Sequence, residues 1–221
     1  MQMVCGAIAH EIRTHLAIIR INTDNLKTAK KEERNKLIDK IQFAIDEASN
    51  MLEMFLIKLH NIYSKQNNKN KLELCPIKQD INNAIKEYPF RNGERENICW
   101  DSKTNENFIY AGNSLLTKHI LFNLIKNSLK AIKETGHGKI FVHLTKTDKY
   151  NTLAFKDTAA GMSKEVLSSL FQAFNSHSEN GAGLGLIYCK LTMEAYGGTI
   201  TCNTKKGEYT EFVLSFPLLE S

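Results

Sequence analysis

The chain has 221 residues, with 29 Lys+Arg against 24 Asp+Glu for a formal net charge of +5, and is 42% hydrophobic and 24% charged. That is an ordinary globular composition, and 12 Gly, 3 Pro and 5 Cys exclude collagen, a disordered tail and a disulfide scaffold. No apolar run of about 18 residues occurs, so no membrane span is expected, and the start MQMVCGAIAHEIRTHL lacks the layout of a signal peptide.

The cysteines, Cys5, Cys75, Cys99, Cys189 and Cys202, are scattered, odd in number and form no CxxC pair. A zinc site is therefore not expected, and a reducing cytosol is. Lysines are mixed with acids, as in KTAKKEERNK, so the chain offers no one-signed footprint for nucleic acid.

In chain order, residues 1–63 hold no Pro and no Gly after Gly6. At 100° per residue Val4, Ile8, Ile12, Leu16, Ile19 and Leu26 fall within an arc of about 120°, which predicts an amphipathic helix. A charged break, Lys27 to Lys36, precedes a near-heptad stripe of Leu37, Ile41, Ala44, Ala48, Met51, Phe55 and Leu59. Two such helices form a hairpin, and a lone hairpin cannot bury two stripes, so a dimeric four-helix bundle is expected. The polar stretch 64–71, SKQNNKNK, reads as a linker.

From residue 72 to 221 the periods are mixed. Strands are predicted at Leu72 to Cys75, Ile98 to Trp100, Phe108 to Tyr110, Lys139 to Lys146, Thr152 to Asp157, Thr199 to Asn203 and Thr210 to Phe216. Helices are predicted at Lys78 to Lys86, Ser114 to Lys133 (stopping at Gly136), Lys164 to Phe171 and Leu184 to Tyr196. This order suggests an α/β sandwich with helices on one sheet face.

Four groups of residues could carry chemistry. His10 lies about 200° from Ile8, on the solvent side of the first helix, with Thr14 one turn on and Glu11 beside it. A carboxylate next to an exposed imidazole can take up the ring proton as the other nitrogen attacks. On this segment alone, a plain surface histidine is the commoner explanation.

In NLIKNSLKAI, Asn123, Asn127 and Lys130 share one helix face. Amide oxygens suit a hard cation such as Mg²⁺ and a lysine suits phosphate, although two aligned asparagines also occur often on ordinary amphipathic helices. Asp157 ends the apolar strand LAFKD and precedes TAAGM, where it could accept a hydrogen bond from an exocyclic amine or merely cap a turn. GAGLGL puts Gly181, Gly183 and Gly185 at the start of a periodic helix, where backbone N–H groups could cradle phosphates. It is neither the dinucleotide fingerprint nor a P-loop.

HEIRTHL, NLIKNSLKA, DTAAG, LFQAF and GAGLGL stand in the order and approximate spacing of a histidine box, asparagine box, first glycine box, phenylalanine box and second glycine box. The whole chain thereby resembles the transmitter module of a two-component sensor histidine kinase, and more loosely its quorum-sensing hybrid subgroup. The resemblance implies a dimerisation and histidine phosphotransfer hairpin (1–63) and a catalytic ATP-binding domain (72–221) of the Bergerat type shared with gyrase and chaperone ATPases. It implies His10 as phospho-acceptor, Glu11 as its assisting acid and Thr14 as positioner of water for dephosphorylation. It implies Asn127 as the Mg²⁺ ligand, Asn123 and Lys130 near the ATP phosphates, and Asp157 on adenine. Gly161 would line that pocket, Gly181, Gly183 and Gly185 would form lid and helix start, and Thr210 would sit near adenine. A homodimer and a response-regulator receiver are the implied partners, with no nucleic acid and no membrane contact within these residues. The location expected is cytoplasmic, and the resemblance allows a membrane anchor elsewhere in a longer protein.

Three departures from the family pattern stand out. Ala159 replaces a usual glycine, and its methyl is expected to crowd adenine or restrict the turn, and so to weaken nucleotide binding. His15 stands where a proline is usual, so the first helix is expected to run straighter. The lid, Asn175 to Asn180, is short and holds no Lys or Arg. The competing expectation from these departures is a phosphatase-biased or nucleotide-poor scaffold that docks a response regulator. A Bergerat ATPase of the gyrase or chaperone kind is disfavoured because it needs no HEIRTHL helix.

Overall fold

The computed structural model describes residues 2–66, 72–103, 106–171 and 184–219, with side chains of the first helix from His10 onward. It divides into two compact units, Met1–Asn68 with Gln172–Tyr188, and Lys69–Phe171 with Cys189–Ser221. Among the described residues no helix is long and apolar enough to cross a membrane.

The first unit is built on α1 (Gln2–Leu26) and α2 (Lys31–Gln66). α1 runs unbroken through His15, as the absence of a proline allows. The charged break is shorter than its composition suggested: the turn closes through Thr28 N–H and Ala29 N–H on Asn25 O, and α2 already starts at Lys31. Glu32 and Glu33 fall in its first turn, where the helix dipole favours acids. Ser64 to Gln66, expected in a linker, continue α2. Between the helices the small residues Ala44 and Ala48 are buried, which permits close backbone approach. Asn22 is buried too, and its amide donates to Ile18 O at 2.7 Å.

The second unit holds two sheets. β1 (Glu73–Pro76) pairs antiparallel with β3 (Ile109–Gly112) as a separate ribbon. The five-stranded sheet has the order β2-β4-β5-β7-β6, with β2 (Ile98–Cys99) parallel to β4 (Ile140–Lys146) and the other pairs antiparallel. β5 (Tyr150–Asp157), β6 (Thr199–Lys205) and β7 (Tyr209–Pro217) complete it. Strict alternation gives it one buried face, carrying Val142, Leu144, Leu153, Phe155, Phe212 and Leu214. Helix α3 (Ile77–Glu87), helix α4 (Ser114–Thr135) and the later residues of α6 (Leu184–Ala195) contribute the rest of the core. Each large aliphatic chain buried there contributes roughly 1.5–3 kcal/mol.

α4 is well delimited. The Asn113 side chain accepts Leu116 N–H at 3.0 Å as N-cap, and Gly136, with φ 75°, closes the helix as expected. α5 (Lys164–Ser168) ends earlier than the predicted Phe171 and is capped by Ser163. A 3₁₀ turn at Glu94–Asn97 leads into β2.

Candidate functional site

Period-2 alternation along β5 puts Asp157 on the buried sheet face at the strand's end, level with Ile140 on β4 and Thr210 on β7. Its carboxylate is 3% exposed. Oδ2 accepts a hydrogen bond from Ser128 Oγ at 2.9 Å, Oδ1 accepts Ala159 N–H at 3.2 Å, and the Thr210 backbone also donates. Burial pushes the carboxyl pKa up, and these three donors oppose the rise, Ser128 foremost. Thr210 is itself buried beside it. On β6, Cys202 also feels the Asp157 charge; burial is the main reason its thiol is pushed up to about 12.

The segment after Asp157 is stitched to the β6–β7 turn. Gly207 N–H donates to Ala160 O at 2.6 Å, and Met162 N–H donates to Thr204 Oγ1 at 2.8 Å. Gly161 has φ 59°, and a Cβ there would collide with the Lys205 carbonyl oxygen and stand 3.0 Å from Lys206 Cα. Only glycine serves at this position, for backbone conformation and for close approach together. The Ala159 methyl is buried, with the residue 1% exposed, and lies 3.4 Å from where a Gly138 Cβ would stand.

On α4, Asn123, Asn127 and Lys130 share the less buried flank. Asn123 is half-buried, and its amide donates to His119 O at 3.1 Å. Asn127 and Lys130 are exposed, with Lys130 Nζ 4.0 Å from Glu134. Among the described residues no group of three or more His, Cys, Asp or Glu side chains could hold a metal. The hard oxygen donors this flank offers are the amides of half-buried Asn123 and exposed Asn127, which suits a Mg²⁺ ion held mainly by phosphates and water. Gly185 is the second residue of α6. Gly181, Gly183 and the lid at 175–180 lie outside the described residues, as does most of the phenylalanine box.

In the first unit His10, Glu11 and Thr14 are all exposed on α1. Thr14 Oγ1 donates to His10 O at 3.2 Å, one turn back. His15 differs: it is half-buried, and its Nδ1 is buried without a hydrogen-bond partner among the described residues. At 100° per residue His15 falls at about 340°, on the apolar stripe, and its burial leaves His10 as the imidazole of HEIRTHL open to solvent.

Ser128 and Gly138 were missed in the sequence. Ser128 carried a signal: it occupies an apolar position in the row Leu121, Leu124, Ser128, Ile132, where a polar residue needs a buried partner. Gly138 gave none beyond its residue type.

Residues 112–220 match the family model described as histidine kinase-, DNA gyrase B-, and HSP90-like ATPase. The autoinducer sensor kinase/phosphatase CqsS of Vibrio cholerae is 28% identical over 233 residues, covering 98% of this chain and 33% of that protein. LuxN of Vibrio campbellii, another autoinducer sensor kinase/phosphatase, is 30% identical over 224 residues, covering 98% of this chain and 26% of its own length. The chain thus spans only a quarter to a third of these relatives. Among solved structures, the Acinetobacter baumannii histidine kinase AdeS superposes with a TM-score of 0.65 at 16% identity, covering 96% of this chain and 98% of that one, which speaks to fold alone. Residues 112–220 thus form a domain of the histidine kinase-, DNA gyrase B- and HSP90-like ATPase family, and along nearly its entire length the chain is similar to sensor histidine kinases, as the transmitter module of such a protein would be.

Proposed function

We propose that this module transfers the γ-phosphoryl group of ATP to His10 and then passes it to an aspartate of a response-regulator receiver domain. The observation that carries the proposal is the buried Asp157 carboxylate, held by three donors at a strand end in the same unit as the α4 flank of Asn123, Asn127 and Lys130. Asp157 would accept the exocyclic amine of adenine, with Thr210 beside it and Gly161 shaping the turn. Asn123 and Lys130 would bind phosphate oxygens, and Gly181, Gly183 and Gly185 are proposed to contribute backbone N–H groups. Mg²⁺, when bound through Asn127 and the phosphates, would neutralise charge on the transferring group. One nitrogen of His10 attacks the γ-phosphorus, the bond to the β–γ bridging oxygen breaks and ADP leaves, while Glu11 draws the proton from the other ring nitrogen.

A second activity on the same helix is favoured by one observation. Both Vibrio relatives are named kinase/phosphatase, and here Thr14 is exposed one turn after His10. Thr14 would position water for hydrolysis of the phosphorylated receiver. By the same likeness, a sensor elsewhere in the complete protein would respond to a diffusible autoinducer. The module is proposed to work as a homodimer through residues 1–63.

Incubating the chain with γ-labelled ATP and Mg²⁺ tests the proposal. Acid-labile label is expected on the parent, none on His10→Gln, and unchanged nucleotide binding by His10→Gln. Asp157→Asn is expected to weaken ATP binding at least about a hundred-fold. Label persisting on His10→Gln would overturn the choice of acceptor, and an Asp157→Asn protein binding ATP like the parent would overturn the nucleotide site.

A further inference from the structure

The bond from Ser128 Oγ to Asp157 Oδ2 is buried at both ends, with Ser128 1% exposed. Ser128 sits on α4 among Leu121, Leu124, Ile125, Leu129 and Ile132, where an apolar residue of similar size would pack with no polar atom to satisfy. A carboxylate has about four lone-pair sites. The Ser128 hydroxyl, the Ala159 N–H and the Thr210 backbone take up three of them, so about one is left for a ligand.

We propose that Ser128 is a positioning residue for base recognition: its hydroxyl holds Asp157 in one orientation as an ionised acceptor, so that the site selects a purine carrying an exocyclic amine over one carrying a carbonyl at that position. This rests on the assignment of Asp157 to the base, made above. The chemistry offers two alternatives. An ionised Asp157 accepts from an N–H and repels a carbonyl oxygen, whereas a protonated Asp157 donates its O–H to a carbonyl. Burial favours the protonated form, and the Ser128 hydrogen bond is the leading interaction against it. On the elements packed around the carboxylate, β4 presents Ile140, β7 presents Thr210 and α4 presents Ser128, none of which titrates. β6 presents the Cys202 thiol, which is pushed up to about 12 and so carries no charge near neutrality. No cation among these groups can substitute for the Ser128 hydroxyl.

The test compares ADP with inosine diphosphate, which carries a carbonyl in place of the amine, by calorimetry on the whole chain. Measurements at about pH 5.5 and about pH 8 are made on the parent, Ser128→Ala and Asp157→Asn. The phosphate titration common to both ligands cancels in the ratio of their dissociation constants. The parent is expected to prefer ADP at both pH values. Ser128→Ala should lose about ten-fold of that preference at the acid pH and keep most of it at the alkaline one. Asp157→Asn, whose amide can donate permanently, should favour inosine diphosphate at both. A Ser128→Ala protein in which both nucleotides weaken equally at both pH values would overturn the proposal, because only packing would then be lost. If Ser128→Ala does not fold, an Asp157→Asn protein that still prefers ADP overturns it instead. A parent that binds neither nucleotide would sink the nucleotide site itself, which is a distinguishable failure.

Discussion

Ala159 places one buried methyl in the turn that follows Asp157. The residue type predicts crowding of a bound base, whereas in the folded chain the residue is almost wholly buried, beside Gly138. Gly138 has φ 137°, and a Cβ there would meet Ile132 Cγ1 at 2.9 Å and Thr158 O at 3.1 Å. Ala159→Gly is therefore expected to cost about 1 kcal/mol in urea unfolding, through a lost buried methyl and a looser unfolded chain. ADP affinity should stay within about two-fold in calorimetry. A variant that binds ADP ten-fold more tightly would restore the crowding view. Asp157 itself was legible because strand alternation and the following turn residues mark the end of β5. Its partner Ser128 lies 29 residues away, and local periodicity does not reveal such a pairing.

Among the elements, α3, α4, β3 and the segment after α6 are joined by a buried polar cluster. Tyr110 Oη donates to Asp80 Oδ2, at 2.7 Å, or to Thr117 Oγ1, at 2.6 Å, and Tyr196 Oη donates to Asn113 O at 2.9 Å. Burial pushes the Asp80 carboxyl up, and the Tyr110 hydrogen bond is the leading opposing effect. An acid whose folded pKa is raised binds more protons folded than unfolded, so stability falls as pH rises from its unfolded pKa through its folded one. Tyr110→Phe raises the folded pKa further. Its destabilisation, about 1–3 kcal/mol for a buried group left short of a donor, should be larger at pH 8 than at pH 5 in urea unfolding. Equal losses at both would show that Asp80 does not respond to the phenol. This cluster was invisible in the sequence because its members are spread from residue 80 to 196. The long helices and the strands β4 to β7 were legible through their sustained periods, but the β5–β7 pairing that joins two neighbouring strand pairs was not. The separate β1–β3 ribbon was not, because four-residue strands carry no signal of which partner they choose.

For the whole molecule, the first unit leaves apolar surface open. Ile38, Ile45 and Leu52, spaced by seven, are exposed on α2 alongside the more buried row of Leu37, Ile41, Ala44 and Ala48, and Leu16 and Ile21 are exposed on α1. A heptad row of this kind suits a coiled-coil-like seam with a second copy. Fully burying each such chain contributes roughly 1.5–3 kcal/mol. The parent should therefore be a dimer by light scattering at micromolar concentration, and the combined Ile38→Glu, Ile45→Glu and Leu52→Glu protein a monomer. A monomeric parent would remove the dimer from the proposal.

The stitching of the turn after Asp157 to the β6–β7 hairpin has a consequence for the entropy of ligand capture. With Gly207 and Met162 N–H groups already bonded across that junction, residues 158–163 lose their conformational freedom when the chain folds, not when a ligand arrives. Fixing one backbone residue costs about 1–2 kcal/mol, so a turn of this length would otherwise subtract heavily from affinity. The Met162 and Gly207 amides should accordingly exchange slowly with deuterium in the nucleotide-free protein, and slow little further when ADP is added. Fast exchange at both, quenched by ADP, would mean that the turn is organised by its ligand.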